Sequence, residues 1–275
     1  MYKRGQTTLF IIIAVIIVAV ALIAIFLWPS IRDRFTSEEK AGELLASQIE
    51  PLRDAIYDCV SETSENIFIT LGKQAGYYRW SHVYAFLWGE DQYVVVMDKF
   101  GGNKLVNRLP SLEMIEQEFQ LALEEEGYEE IESCLNDFSS FKRQIGVEPE
   151  EKDFEAEITN DKIVISVDWP ITVSKKYATG TTTQKINQKD VILSIPFKDL
   201  LEVAQDIVNS EIAGEKFEGL VKQHYQTALY EQHRNIKING IHHPSSFNVG
   251  VVILESEPTR DGENPFKFQF AISRE

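Results

Sequence analysis

An uninterrupted apolar segment lies close to the N-terminus of the chain. From Leu9 to Trp28, 20 consecutive residues include no charge, proline or glycine, and Ile, Val and Ala predominate. At about 1.5 Å per helical residue the segment is about 30 Å long, which matches the hydrocarbon core of a bilayer. A cleaved secretory signal would be shorter and followed by small residues, whereas Pro29 follows here. The pattern predicts one transmembrane helix over 9–28, in contact with the lipid bilayer.

A second apolar pattern, with helical spacing, follows this segment. Ser37 is a suitable N-cap for a helix that begins at Glu38, and apolar residues then recur every three or four positions. They are Leu44, Leu45, Ile49, Leu52, Ile56 and Val60. The pattern predicts an amphipathic helix over 36–72 that is interrupted at Pro51. We expect residues 1–8 to be a cytoplasmic leader and residues 29–72 to form a helical stalk.

Residues 73–275 show strand and helix patterns in blocks. The clearest β signal is a hairpin over 154–158 and 162–169, where apolar and polar residues alternate around Asn160-Asp161. Further strands are predicted over 93–97, 191–195, 236–238, 249–254 and 266–272, with a turn at 101–103 and a polar connection at 179–189. Helices are predicted over 111–135, with Gly127 as a break, and over 198–211 and 216–234. Blocks without strict βαβ alternation predict an α+β class, with helices, antiparallel sheet and a sub-boundary near 145–152.

The charge of the chain restricts its partners. The formal net charge is −16, and after residue 30 the chain has 25 basic and 43 acidic side chains. Such a surface is a poor partner for nucleic acid, and anionic lipid headgroups would repel it as a whole. Membrane attachment is therefore expected to come from the apolar segment.

A short motif immediately precedes that segment. Lys3-Arg4-Gly5-Gln6-Thr7-Thr8-Leu9-Phe10 resembles the class III signal of archaeal type IV pilin-like proteins, in which a charged residue, Gly and Gln stand just before the apolar helix. The resemblance implies cleavage after Gly5 on the cytoplasmic side, with Gln6 as the mature terminus. Many pilins have Glu at the fifth residue after the cut, where this chain has Phe10, so the resemblance implies a tether more directly than a filament subunit. The alternative is an uncleaved signal anchor, and both place the C-terminal domain outside the cell.

The membrane topology decides whether the two cysteines are expected to form a disulfide. Cys59 and Cys134 are the only cysteines, and each lies among apolar residues of a predicted amphipathic helix, so both should face one core. An extracytoplasmic domain favours a disulfide between them, whereas a cytoplasmic domain would favour two separate buried thiols. The bridge would close a loop of about 75 residues, which the chain-entropy model values at about 4 kcal/mol.

A sparse set of residues around the cysteines carries a second resemblance. The set comprises Cys59, Leu71-Gly72, Gln74-Ala75-Gly76-Tyr77-Tyr78, Cys134-Leu135 and Asp137-Phe138. In these positions the chain is similar to uncharacterised anchored surface proteins from small-genome archaea. They pair a helix bearing one Cys with a Leu-Gly-x-Gln-Gly-Gly-Tyr-like turn and a second helix that ends in Cys-Leu. Ala75 stands where that turn has its second Gly, and the resemblance implies no activity.

Three clusters of side chains are candidate sites. The aromatic residues Tyr77, Tyr78, Trp80 and Trp88 could form a platform for sugar rings or a peptide, and the alternative is ordinary core and loop packing. Four histidines, His224, His233, His242 and His243, lack the spacing of a compact metal site, and the glutamates at 124–132 and 148–151 lack the pattern of a calcium loop. We therefore predict no metal site and no cofactor.

No sequence motif indicates catalysis. The chain has no Gly-x-Ser-x-Gly elbow, no Walker-type loop and no dinucleotide fingerprint. We expect a non-enzymatic, single-pass surface protein whose acidic domain serves envelope structure, adhesion or binding of a protein or glycan. The alternative is a membrane-tethered extracytoplasmic enzyme such as a hydrolase, because many active sites assemble from residues scattered in sequence.

Overall fold

The structure, a computed structural model, describes residues 38–79, 85–88, 91–100, 104–177, 180–214, 236–242, 249–256 and 265–273. Several predictions fall outside these ranges: the transmembrane segment 9–28, the processing residues Gly5 and Gln6, the turn at 101–103 and the helix over 216–234. None of the described helices is long and apolar enough to cross a membrane. The described residues confirm a mixed α+β fold.

The helices that the structure describes lie mainly in the first half of the chain. They are α1 (Glu38–Lys73), α2 (Leu112–Ala122), a π-helical segment (Leu123–Gly127), α3 (Tyr128–Cys134), a 3₁₀ turn (Asn136–Phe138), α4 (Ser139–Lys142) and α5 (Phe197–Ile212). The hydroxyl of Ser111 accepts a hydrogen bond from Met114 N and caps the start of α2.

The described strands form three sheets. They are β1 (Ala85–Trp88), β2 (Asp91–Phe100), β3 (Lys104–Asn107), β4 (Gly146–Pro149), β5 (Asp153–Ile158), β6 (Ile163–Asp168), β7 (Ile171–Tyr177), β8 (Gly180–Ile186), β9 (Val191–Leu193), β10 (Ile236–His242), β11 (Val249–Ser256) and β12 (Lys267–Ser273). The largest sheet has the order β1-β2-β12-β11-β10, with β3 also paired to β2, and the two small sheets have the orders β4-β7-β8 and β5-β6-β9. The pairing of β12 with β2 is parallel, and the other pairings are antiparallel.

Helix α1 corrects the prediction of a break at Pro51. The helix continues from Glu38 to Lys73 with Pro51 inside it. Proline removes one backbone donor and costs about 3 kcal/mol in a helix interior. Burial of the apolar face outweighs this cost, because Leu45, Leu52 and Ile56 are at most 1% exposed. The described part of the predicted stalk therefore belongs to the folded protein along this face.

Gly127 also differs from its predicted role. Its φ of −62° and ψ of −37° are helical, so the helix passes through it by way of the π-helical segment. A Cβ atom here would lie 2.8 Å from Leu123 Cδ2 and 3.2 Å from Ile67 Cδ1. Gly127 therefore permits close packing against α1, and it does not end the helix.

Most predicted strands are present, but the sequence did not predict β1, β3, β4, β7 or β8, nor one long-range pairing. The β5–β6 hairpin pairs Ile158 with Ile163 across the predicted turn. The polar run at 179–189, predicted as a connection, instead contains the whole of β8, which pairs with β7 from Ile171↔Ile186 to Tyr177↔Gly180. The parallel contact between β12 and β2 joins segments that are distant in sequence, so no local pattern signals it.

The chain divides into two compact units. Unit 1 comprises residues up to Leu52, Phe138–Glu150 and Pro170–Ile186; unit 2 comprises Arg53–Asp137, Glu151–Trp169 and Asn187–Glu275. In unit 1 the β4-β7-β8 sheet buries Val147, Ile171, Val173 and Ile186.

Unit 2 contains an aromatic core. Phe68 of α1 stacks on Phe119 of α2 with ring centroids 4.8 Å apart, and its edge meets Phe197 of α5 at 5.7 Å. Phe197 in turn contacts Phe268 of β12 at 5.6 Å. These four rings are fully buried and join three helices to the large sheet.

Candidate functional site

The two cysteines join two helices within unit 2. Cys59 of α1 and Cys134 at the end of α3 form a disulfide, with their Cα atoms 5.9 Å apart and 75 residues of sequence between them. The pairing agrees with the sequence prediction, but the surroundings differ in one respect. Cys59 is buried, whereas Cys134 is exposed, so the two residues do not both face the core. The bridge is therefore open to solvent on one side.

The turn that follows α1 holds the predicted aromatic residues. Gly76 N donates a hydrogen bond to Leu71 O over 2.7 Å, which is the six-to-one bond of a Schellman-type helix end. Ala75 adopts the left-handed conformation, with φ of 55°, at the position where such ends favour glycine. The turn directs the next two residues, Tyr77 and Tyr78, toward α2.

Both tyrosines contact polar groups of neighbouring segments. The Tyr77 hydroxyl donates to Arg108 O, and Glu118 Oε2 accepts hydrogen bonds from the backbone N–H groups of Tyr78 and Arg79. Burial, with a smaller contribution from Glu118, raises the pKa of Tyr77 above its ordinary value. Burial likewise raises the pKa of Tyr78, and Glu126 adds to the effect.

The structure gathers only part of the predicted aromatic platform. Tyr77 and Tyr78 are half-buried and held by these contacts. Trp80 lies outside the described residues, and Trp88 lies in the edge strand β1. What the structure describes is thus a fixed turn with two partly exposed phenol rings, a surface that suits contact with a partner.

A cavity that the sequence analysis did not identify lies elsewhere in unit 2. It has a volume of about 230 Å³ and lies between α1 and strands β6 and β9. Four buried aliphatic side chains line it: Ile56, Val60, Val167 and Val191. The polar lining comprises Arg53, Asp54, Tyr57, Gln188 and Lys189.

The cavity lining combines an apolar floor with two cationic side chains. An apolar cavity with a few polar groups suits a small ligand, and here Arg53 and Lys189 outnumber the single carboxylate of Asp54, which favours an anionic group on that ligand over a cationic one. Arg53, Asp54 and Tyr57 occupy the polar face of α1, where charges usually contact solvent. Because the other polar residues come from a loop more than 100 positions later, no local signal connected them.

A lysine in unit 2 lies against aromatic rings. Lys152 Nζ is 5.0 Å from the centroid of the Tyr128 ring and 5.4 Å from that of Trp169, and it forms an ion pair with Glu132. The Lys152 side chain is only 15% exposed. These cation–π contacts and the ion pair account for the lysine as a packing element.

Among the residues that the structure describes, the histidine and glutamate clusters form no common site. Of the four histidines, only His242 lies within the described residues, in β10. Within the described ranges no group of three or more His, Cys, Asp or Glu side chains could hold a metal ion.

Comparisons with known proteins yielded no match: no family model, no curated protein and no solved structure matches the chain.

Proposed function

We propose that the protein is a single-pass membrane protein that presents its α+β domain outside the cell for binding to a partner. Leu9–Trp28 is the anchor, and a class III signal, cleaved after Gly5 to leave Gln6 at the terminus, sets the orientation. The acidic surface keeps the domain solvated and away from other copies.

The disulfide between Cys59 and Cys134 is the observation that carries this proposal. A bridge that is exposed on the Cys134 side is accessible to thiol reductants. Such bridges persist in oxidising compartments and are rare in the cytosol. Together with the apolar segment, this favours a domain outside the cell.

Two surfaces in the outer domain support a binding role. The Tyr77–Tyr78 turn offers phenol rings on a backbone fixed by Glu118, a rigid arrangement that loses little conformational entropy on contact with a partner. The cavity beside Arg53 and Lys189 offers an apolar floor with cationic groups at its lining. We assign the partner contact to these surfaces, and a protein or glycan is the partner class that partly exposed aromatic rings suit.

Intact-mass measurement of the chain purified from its native membrane tests the proposal. The sample is alkylated under denaturing conditions, once with and once without prior reduction. We expect no modified cysteine without reductant and two with reductant. The mass should equal that of a chain whose first residue is Gln6. Two modified cysteines without reductant would contradict the oxidised extracytoplasmic domain, and an intact Met1 terminus would contradict the signal cleavage.

A further inference from the structure

Helix α1 contributes one stripe of side chains to the cavity in unit 2. Four of its lining residues are three or four positions apart and therefore share one side of the helix. They are Arg53, Ile56, Tyr57 and Val60. Ile56 and Val60 are at most 1% exposed, whereas Tyr57 is 37% exposed. The stripe thus has an apolar part inside the protein and a polar edge at the mouth of the cavity.

The other wall of the cavity comes from the β5-β6-β9 sheet and the loop before β9. Val167 of β6 and Val191 of β9 are buried and, with Ile56 and Val60, form the apolar floor of the cavity. The side-chain amide of Gln188 donates to Trp169 O over 3.5 Å, which connects the loop to the residue that follows β6. The cavity is therefore bounded by the folded core of unit 2, as preformed ligand sites are.

The volume of the cavity limits the size of a ligand. At about 230 Å³ it is smaller than the pockets of about 300 Å³ or more that hold drug-sized molecules. An apolar cavity of about 150 Å³ holds one benzene molecule, which has six carbon atoms. In proportion, this cavity has room for a ligand of up to about nine non-hydrogen atoms.

The polar groups at the mouth select the charge of the ligand. Unit 2 has 17 basic and 36 acidic side chains, yet the charged residues that line the cavity are Arg53, Lys189 and the single carboxylate Asp54. Lys189 is exposed, and no described residue forms a hydrogen bond or an ion pair with it. The mouth is therefore locally cationic in an acidic unit, which favours one negative charge on the ligand.

We propose that this cavity binds a small apolar monocarboxylate, with a hydrocarbon body of roughly four to eight carbons on the apolar floor and the carboxylate beside Lys189 and Arg53. The inference deepens the binding role proposed above and rests on the assignment of a partner contact to the cavity. A sugar would leave hydroxyl groups unpaired against Ile56 and Val60. An amine would meet two cationic side chains at the mouth.

Methyl NMR of the full-length chain in detergent micelles measures binding at the site itself, because all four residues of the apolar floor have methyl groups. The buried residues Ile171 and Val173 of unit 1 report effects of the probe that are not specific to the cavity. The probes are hexanoate, neutral hexanamide and cationic hexylamine, titrated near neutral pH. We expect saturable shifts of the floor methyl groups with hexanoate, about threefold weaker binding of hexanamide, and the weakest binding of hexylamine.

Variants separate the charge from the space. Lys189→Gln should weaken hexanoate binding about threefold and leave hexanamide binding unchanged, because it removes only the charge. Lys237→Gln, at an exposed position of β10, is the matched control and should change neither. Val191→Phe should weaken both by at least about tenfold, since its ring fills much of the cavity. The dispersion of the methyl spectrum shows whether Val191→Phe folds, and the exposed Lys189→Gln tests the charge independently.

Norleucine, which adds an ammonium group to hexanoate, distinguishes an amino acid from a simple carboxylate. We expect it to bind more weakly than hexanoate, and Asp54→Asn to strengthen hexanoate binding about threefold. Tighter binding of norleucine that is lost in Asp54→Asn would overturn the monocarboxylate in favour of an amino acid. Hexylamine binding as tightly as hexanoate would also overturn the inference, as would equal shifts at the floor and at Ile171 and Val173.

The alkylation and mass measurement described above keeps this inference distinct from the membrane proposal. A chain with the expected mass and a disulfide, but without saturable shifts, would overturn the carboxylate site and leave the anchored extracytoplasmic domain in place. Saturable binding of hexanoate by a chain with two free thiols would support the site and contradict the proposed compartment.

Discussion

At the scale of single residues, the end of α1 is closely packed. Gly72 and Gly76 are buried, and Leu71, beside Gly72, is 0% exposed. The sequence indicated a turn here through the Leu-Gly-x-Gln resemblance. It could not indicate which residue touches a distant strand, because that depends on the approach of β12.

Gly72 marks the closest approach of α1 to β12. A Cβ atom at this position would collide with the backbone oxygen of Lys267 and lie 2.7 Å from Phe266 Cζ. We expect Gly72→Ala to lower the free energy of unfolding by about 2 kcal/mol, as overpacking of a core does. The measurement is denaturant unfolding of both proteins.

Gly42→Ala in the same helix is the matched control. An added Cβ there meets no described atom within 4 Å, so the substitution should raise the free energy of unfolding by about 0.5 kcal/mol through helix propensity. Equal effects of the two substitutions would contradict the close approach at Gly72.

Tyr77 provides a prediction about pH. Burial raises its pKa in the folded state above the ordinary value of 10.0. As the pH rises past that value, the unfolded chain loses the phenol proton first, so the stability associated with the protonated phenol is progressively lost. The free energy of unfolding of Tyr77→Phe should therefore fall less steeply than that of the native protein between about pH 9 and 11. Parallel pH profiles in the two proteins would exclude this role of Tyr77.

At the scale of elements, the sequence predicted correctly those helices and strands that are determined by residues close together in the chain. The β5–β6 hairpin was predictable because Phe154 and Ile158 flank a Glu-Ala-Glu alternation, and Ile165 and Val167 alternate with Ser166 and Asp168, on the two sides of a two-residue turn. Strand β8 was not, because six of its seven residues are polar or glycine and only Ile186 is buried. Its order comes from pairing with β7. Likewise, the break predicted at Pro51 considered only the local effect of proline. The helix continues because burial of the apolar face of α1 outweighs that effect.

The packing of helices α1, α2 and α5 depends on one ring. Phe68 contacts both Phe119 and Phe197 and is 0% exposed. Phe68→Ala should lower the free energy of unfolding by about 4 kcal/mol, through lost burial and a cavity. Met114→Ala on α2, where the side chain is 44% exposed, should change it by less than about 1 kcal/mol. Chemical denaturation monitors both, and similar losses would show that Phe68 is not a central packing residue.

At the scale of the whole molecule, the charge is distributed unequally between the two units. The net negative charge comes from unit 2, which has 17 basic and 36 acidic side chains, whereas unit 1 has ten basic and seven acidic ones. This distribution was not visible in the sequence, because unit 1 is assembled from three separate segments. The candidate cavity was missed for the same reason: its lining combines α1 with residues 188–191.

The central claim is that the domain after the anchor lies outside the cell. The most direct measurement adds a protease to intact cells that carry the full-length protein with an epitope after Glu275, next to permeabilised cells as a control for digestion. We expect the epitope to disappear from intact cells while a cytoplasmic marker protein remains whole. Full protection of the epitope in intact cells, with digestion after permeabilisation, would reverse the topology and contradict the account.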